Sequence, residues 1–195
     1  MKPEDIDYDN LTFSFTETKS MYLSKCTIGE AWQKGEMIPF DNITISPAAT
    51  VLNYGQGLFE GMKAYRTEND EIIMFRPEEN AKRAANGCLR LSMPGISEDV
   101  FMDGVTKVVR DNIEYIPTTD KGALYVRPII FGSGEGLGVA PSSEYTFMVF
   151  VSPVGSYFKG GVKPLNLKVE TNYHRAASRG IGNAKAIGNY SASLY

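Results

Sequence analysis

One lysine near the end of the chain stands in a setting suited to covalent chemistry. Lys185 lies within Arg179-Gly-Ile-Gly-Asn-Ala-Lys-Ala-Ile-Gly-Asn-Tyr190, with Gly180 and Gly182 before it and Gly188 and Asn189 after it. Small neighbours let a large flat ligand approach the amine closely. Burial or a nearby cation readies a lysine amine for Schiff-base formation with an aldehyde. Tyr190, five residues on, supplies a phenol able to hydrogen-bond the ring of such a ligand.

Two further groups point to anions. Phe75-Arg76-Pro77 places a guanidinium between a strand end and a helix start. Arginine forks onto phosphate, and a helix N-terminus adds a favourable field; a surface ion pair is the plain alternative. Tyr125-Val126-Arg127 sets a phenol and a guanidinium two positions apart in a strand, hence on one face, where they could hold a carboxylate. The aromatic residues Tyr54, Phe59 and Tyr65 suit a core or a pocket wall. Tyr157 stands in a Pro/Gly-rich stretch, where a hinge could turn it toward a cleft. Gly132-Ser-Gly-Glu-Gly-Leu-Gly138 lacks the spacing of a nucleotide loop and reads as a flexible loop. His174 has no Ser or Cys partner at an interpretable spacing. As the single histidine, it leaves no His/Cys metal cluster.

The elements that must hold these groups mix helix and strand. Residues 11 to 28 carry the Thr, Phe and Tyr of strands, and 32 to 40 read as a loop. Residues 54 to 61 are a glycine-punctuated aromatic segment, read as a short helix. Residues 62–66 and 71–75 predict a hairpin. A helix is expected from Pro77 to about Ser92, and a second after the N-cap Ser97. Strands follow at 122–131, where Pro128 suggests an edge or a bulge, and at 145–151. Another is expected over 165–171. The stretch 155–164 reads as a connector between a small α/β domain, 1–154, and the opening of a larger domain, 165–195.

With 195 residues, 43% hydrophobic and 22% charged, the chain can bury a sizeable core. A net charge of -3 gives no basic footprint for nucleic acid. No apolar run reaches bilayer length, and the acidic start, Met1 to Asp9, is not a signal peptide. The expected location is the cytoplasm. Cys26 and Cys88 read as buried free thiols rather than a disulfide.

Taken in order, Tyr54-Gly-Gln-Gly-Leu-Phe-Glu-Gly-Met-Lys-Ala-Tyr65, Phe75-Arg-Pro77, Leu124-Tyr-Val-Arg-Pro128, Ser152-Pro-Val-Gly-Ser-Tyr157 and Gly182-Asn-Ala-Lys-Ala-Ile-Gly-Asn-Tyr190 resemble the branched-chain amino acid aminotransferases. That family lies within the fold-type IV pyridoxal phosphate enzymes. The resemblance covers nearly the whole chain from about residue 12. It implies an α+β fold with the small domain and the start of a large one. It implies Lys185 as the lysine joined to pyridoxal 5'-phosphate, Arg76 on the cofactor phosphate and Tyr190 on a ring oxygen. It implies Tyr54, Phe59, Tyr125, Arg127 and Tyr157 as the substrate pocket, partly shared with a dimer mate. The implied reaction passes amino groups between leucine, isoleucine or valine and 2-oxoglutarate. Family members continue for well over a hundred residues more, so the isolated chain is expected to bind cofactor poorly. Gly180-Ile-Gly182 also departs from the commoner Gly-Gly-Thr-Gly. D-amino acid aminotransferases and aminodeoxychorismate lyases share the fold. A non-catalytic fragment, or half of a split enzyme, is the reading from another class.

Overall fold

An antiparallel sheet with two helices on one face dominates the computed structural model, which describes residues 1–156 and 164–194. The strands are β1 (Ser20–Thr27), β2 (Glu36–Pro39), β3 (Gly57–Phe59), β4 (Met62–Arg66), β5 (Ile72–Met74), β6 (Ala123–Gly132) and β7 (Glu144–Val154). Their order is β2-β1-β7-β6-β4-β5, and β3 also pairs with β6. The helices are α1 (Thr50–Tyr54), α2 (Pro77–Arg90) and α3 (Glu98–Asp111).

Both long helices form where their sequence signals lie. Pro77 opens α2, with Glu78 and Glu79 in its first turn. Its inward positions are Ala81, Ala84, Gly87 and Cys88. The Ser97 side chain accepts from the Val100 N–H and caps α3, which buries Phe101, Val105, Val108 and Val109. At Gly104 an added Cβ would lie 2.9 Å from the Tyr22 ring, so only glycine lets α3 press this close to the sheet. Leu124, Val126, Ile130, Phe147, Val149 and Val151 complete this core from the sheet side. Cys26 and Cys88 are buried and free, as the sequence suggested.

The opposite face of the sheet is more open, and it carries the site. Alternation along β6 sends Tyr125, Arg127 and Ile129 to it, while Leu124, Val126, Pro128 and Ile130 are buried. Phe59 pairs with Ile129, and Phe150 with Arg127, so both share that face.

Pro128 is neither on an edge nor at a bulge. It sits inside β6, between β4 and β7, with its register unbroken: Phe59 opposite Ile129, Met62 opposite Val126. The missing N–H shows on the partner side. Glu60 still donates its N–H to the Pro128 carbonyl at 2.8 Å, but proline returns nothing, and the opposing strand divides into β3 and β4 at Glu60-Gly61.

Three other expectations give way. Residues 11 to 19 are not strand; β1 begins at Ser20. The 32–40 loop contains β2, and the helix expected in 54–61 ends at Tyr54 before β3. The strand expected over 165–171 is absent, because residues 165–171 find no ladder partner among the described residues. Leu165, Leu167 and Val169 lie exposed there. Most of the expected connector, Tyr157 included, lies outside the described residues.

Candidate functional site

The lysine loop is docked on the sheet by its own backbone. Ala186 bridges Leu58 in antiparallel fashion, and the Phe59 N–H donates to the Lys185 carbonyl at 3.2 Å. The edge of β3 not used by β6 therefore carries the loop. Asn189 closes the loop on itself. Buried, it donates from Nδ2 to the Ile181 and Ala184 carbonyls, each at 2.9 Å. Arg90, in the last turn of α2, donates to the Gly180 carbonyl at 3.1 Å.

These contacts deliver a half-buried Lys185 side chain over the open face of the sheet. Its Nζ lies 2.9 Å from the Tyr190 hydroxyl. It also stands 4.5 Å from the centre of the Phe59 ring and 5.1 Å from that of Tyr190. The Phe59 and Tyr190 rings are themselves 4.8 Å apart. A cation over an aromatic face is held there by the ring quadrupole.

The same Phe59 ring carries a second cation. The Arg127 guanidinium carbon is 4.6 Å from its centre and 5.1 Å from that of Tyr125, and Arg127 Nη2 donates to the Tyr125 hydroxyl at 3.1 Å. Phe13 packs edge-on against Tyr125 at 5.2 Å. Arg127 Nε is buried without a hydrogen-bond partner among the described residues. An unpaired buried donor on a guanidinium is a place for an anion. Phe13, Phe15, Tyr125, Arg127 and Phe150 line a groove there.

Of the residues singled out in the sequence, Lys185, Tyr190, Phe59, Tyr125 and Arg127 therefore form one contiguous cluster. Arg76 and Tyr54 stand outside it. Arg76 caps α2 in a left-handed conformation, φ 47°, and lies 3.6 Å from Glu79. It lines a groove with Phe75, Glu79, Asn80 and Arg83. The Tyr54 hydroxyl donates to the Leu137 carbonyl in the glycine-rich 132–138 loop.

Glu60 and Arg83 were missed in the sequence. Glu60 is fully buried and takes two 2.6 Å hydrogen bonds from Arg83, plus one of 2.8 Å from Asn80. The Glu60 carboxylate pushes the Arg83 pKa up. The usable signal was an acidic residue between Phe59 and Gly61 at the head of a strand. Asn189 was noted only as part of the exit from the loop.

The sheet, its helix layer and a lysine loop docked at β3 have the fold of the fold-type IV aminotransferases. The branched-chain aminotransferase of the thermophilic archaeon Thermoproteus uzoniensis, solved with norvaline, superposes with a TM-score of 0.67 at 22% identity. The match covers 91% of this chain and 54% of that one. No family model matches the chain. In sequence it is 55% identical over 190 residues to branched-chain amino acid aminotransferase 2, chloroplastic, of Humulus lupulus, covering 97% of this chain and 47% of that one. It is 52% identical to the chloroplastic aminotransferase 5 of Arabidopsis thaliana, covering 97% and 46%. The chain is similar over nearly its whole length to branched-chain aminotransferases and spans about half the length of the curated relatives it matches.

These relatives correct one expectation. They are chloroplastic, and others that match are mitochondrial, which points to an organelle rather than the cytoplasm. The acidic Met1–Asp9 segment was a poor guide to location.

Proposed function

We propose that this chain carries the reactive lysine and part of the substrate wall of a pyridoxal phosphate-dependent transaminase. The reaction would pass amino groups between leucine, isoleucine or valine and 2-oxoglutarate, giving branched-chain 2-oxo acids and glutamate. The observation that supports this best is the shared Phe59 ring, with the Lys185 amine on one contact and the partly unpaired Arg127 on another. An amine for covalent attachment and a guanidinium for a carboxylate stand within one ring's reach.

The residues fit the cofactor at its reactive end, where Lys185 and Tyr190 offer an amine and a phenol side by side. Pyridoxal phosphate, when bound, supplies the electron sink for the reaction. Lys185 would hold it and, once released, move the proton at the substrate α-carbon. Tyr190 would hydrogen-bond a ring oxygen. Arg76 would hold the phosphate. Its groove carries two guanidinium groups, Arg76 and Arg83, and its strained backbone is the kind that clusters at ligand clamps. Arg127 with Tyr125 would hold a substrate carboxylate, and Phe59, Tyr54 and Tyr157 would form the apolar wall. In this reading 1–154 is the small domain, 165–195 opens the cofactor domain, and the full assembly is a homodimer with small-molecule substrates.

The test is an absorbance titration of the chain with pyridoxal phosphate. A new cofactor band lost in Lys185→Ala supports the reading. A band of equal strength in that variant contradicts it.

A further inference from the structure

Phe59, the ring that both cations share, ends β3 immediately before the Glu60-Gly61 junction, where the strand divides opposite Pro128. One ladder bond is missing there, because Pro128 has no N–H to offer the Glu60 carbonyl. Something else must fix the direction of the Phe59 ring.

That something is a buried charge. The Glu60 carboxylate is fully buried, and both its oxygens are engaged. Arg83 Nε donates to Oε1 and Nη2 to Oε2, each at 2.6 Å. Asn80 Nδ2 donates to Oε2 at 2.8 Å and to the Gly61 carbonyl at 3.3 Å. Both donors come from α2, three positions apart and so on one face of it. A buried ion pair seldom adds net stability over an apolar pair, because desolvation offsets the attraction. What a forked, doubly anchored pair does supply is orientation. The next residue agrees with that role. An added Cβ at Gly61 would run into the Tyr125 hydroxyl, the group that Arg127 holds. The junction is thus held from α2 on one side and fitted around Tyr125 on the other.

We propose that Glu60, clamped by Arg83 and Asn80, is a positioning residue that holds the Phe59 ring under the Lys185 amine and the Arg127 guanidinium. Its importance rests on the reading of Lys185 as the reactive amine, but its geometry does not. The clamp would act through Phe59 and touch neither cofactor nor substrate.

Aromatic rings shift the NMR frequency of nuclei held over their faces, which gives a readout free of cofactor and turnover. The 195-residue chain is reductively methylated with a carbon-13 label, and the Lys185 signal is assigned by its loss in Lys185→Arg. In the wild type that signal is expected away from the position of exposed methyl-lysine. Phe59→Leu abolishes most of the displacement. Glu60→Gln and Arg83→Lys each remove at least half of it while circular dichroism stays unchanged. In the Phe59→Leu background, Glu60→Gln adds nothing. The proposal is overturned if folded Glu60→Gln and Arg83→Lys keep the wild-type signal. It is equally overturned if Glu60→Gln acts as strongly without Phe59, since the effect would then be one of charge. An undisplaced wild-type signal overturns it too. Should Glu60→Gln unfold, Arg83→Lys decides, because it keeps the charge at a half-exposed position. Unfolding of that variant would mark the clamp as structural only and overturn the proposal. Failure of cofactor binding leaves all these outcomes readable.

Discussion

Lys185 and Arg127 come from segments far apart in the chain, yet each lies over the ring of Phe59, at 4.5 Å and 4.6 Å from its centre. Two like charges drawn to one ring repel one another, and an anion bound beside them would relieve that repulsion. A substrate carboxylate suits the Arg127 end. Replacing Arg127 by Gln should weaken binding of a branched-chain 2-oxo acid by on the order of 10–100-fold, the loss of one charged hydrogen-bonded contact. An NMR titration with the 2-oxo acid of leucine measures it. Equal affinity in the variant would remove Arg127 from the pocket.

Tyr190 is more than a third exposed, so its hydroxyl is dispensable for folding. Tyr190→Phe should leave the unfolding midpoint unchanged and weaken pyridoxal phosphate binding by roughly 10-fold, about one hydrogen bond to a charged partner. The absorbance titration reads this. A Tyr190→Phe variant with wild-type affinity would place the phenol elsewhere than on the ring oxygen.

Asn189 acts inside the loop. Its amide donates to two carbonyls, that of Ala184 and that of Ile181, the latter shared with the Ala184 N–H. Asn189→Ala should destabilise the loop by about 1–3 kcal/mol, the cost of leaving the buried Ala184 carbonyl unpaired. Limited proteolysis should then cut within 181–190 much faster than in the wild type, while the sheet persists by circular dichroism. An unchanged cutting rate would show that the bridge to β3 and the Arg90 contact hold the loop without Asn189.

Alkali should unfold the chain through two buried acids. Burial pushes the Cys88 thiol from its usual 9.0 up to about 12, and burial together with the Asp103 carboxylate pushes the Tyr22 phenol from 10.0 up to about 12. Above the lower values the unfolded chain loses these protons while the folded chain keeps them. Stability present below about pH 9 is therefore lost progressively as pH rises toward about 12. Denaturant midpoints measured across that range should fall. Cys88 should also resist a thiol reagent at about pH 8 until denaturant is added.

The elements read correctly from sequence are those with a local cause. Pro77, Ser97 and the three-to-four spacing of Ala81, Ala84 and Cys88 are visible without partners, and α2 and α3 lie where those residues put them. Strands depend on neighbours. Glu36–Pro39 is a strand because β1 pairs with it, and 165–171, with a better apolar alternation, is none because nothing among the described residues does. Pro128 misled for the same reason: its missing N–H was legible, but the way Glu60-Gly61 absorbs the gap was not. Lys185, Tyr190 and Arg127 were legible as chemistry. The ring that joins them was not, nor was the Glu60–Arg83 clamp under it, whose two residues stand 23 positions apart, a separation that no spacing rule connects.

The central claim is that Lys185 is the amine that takes the cofactor. Borohydride reduction traps even weak occupancy, so the chain is incubated with pyridoxal phosphate, reduced, digested and mapped by mass. The account predicts a stable phosphopyridoxyl group concentrated on the peptide containing Lys185, and little label anywhere in Lys185→Ala. Label spread evenly over the surface lysines, and unchanged in that variant, would contradict it.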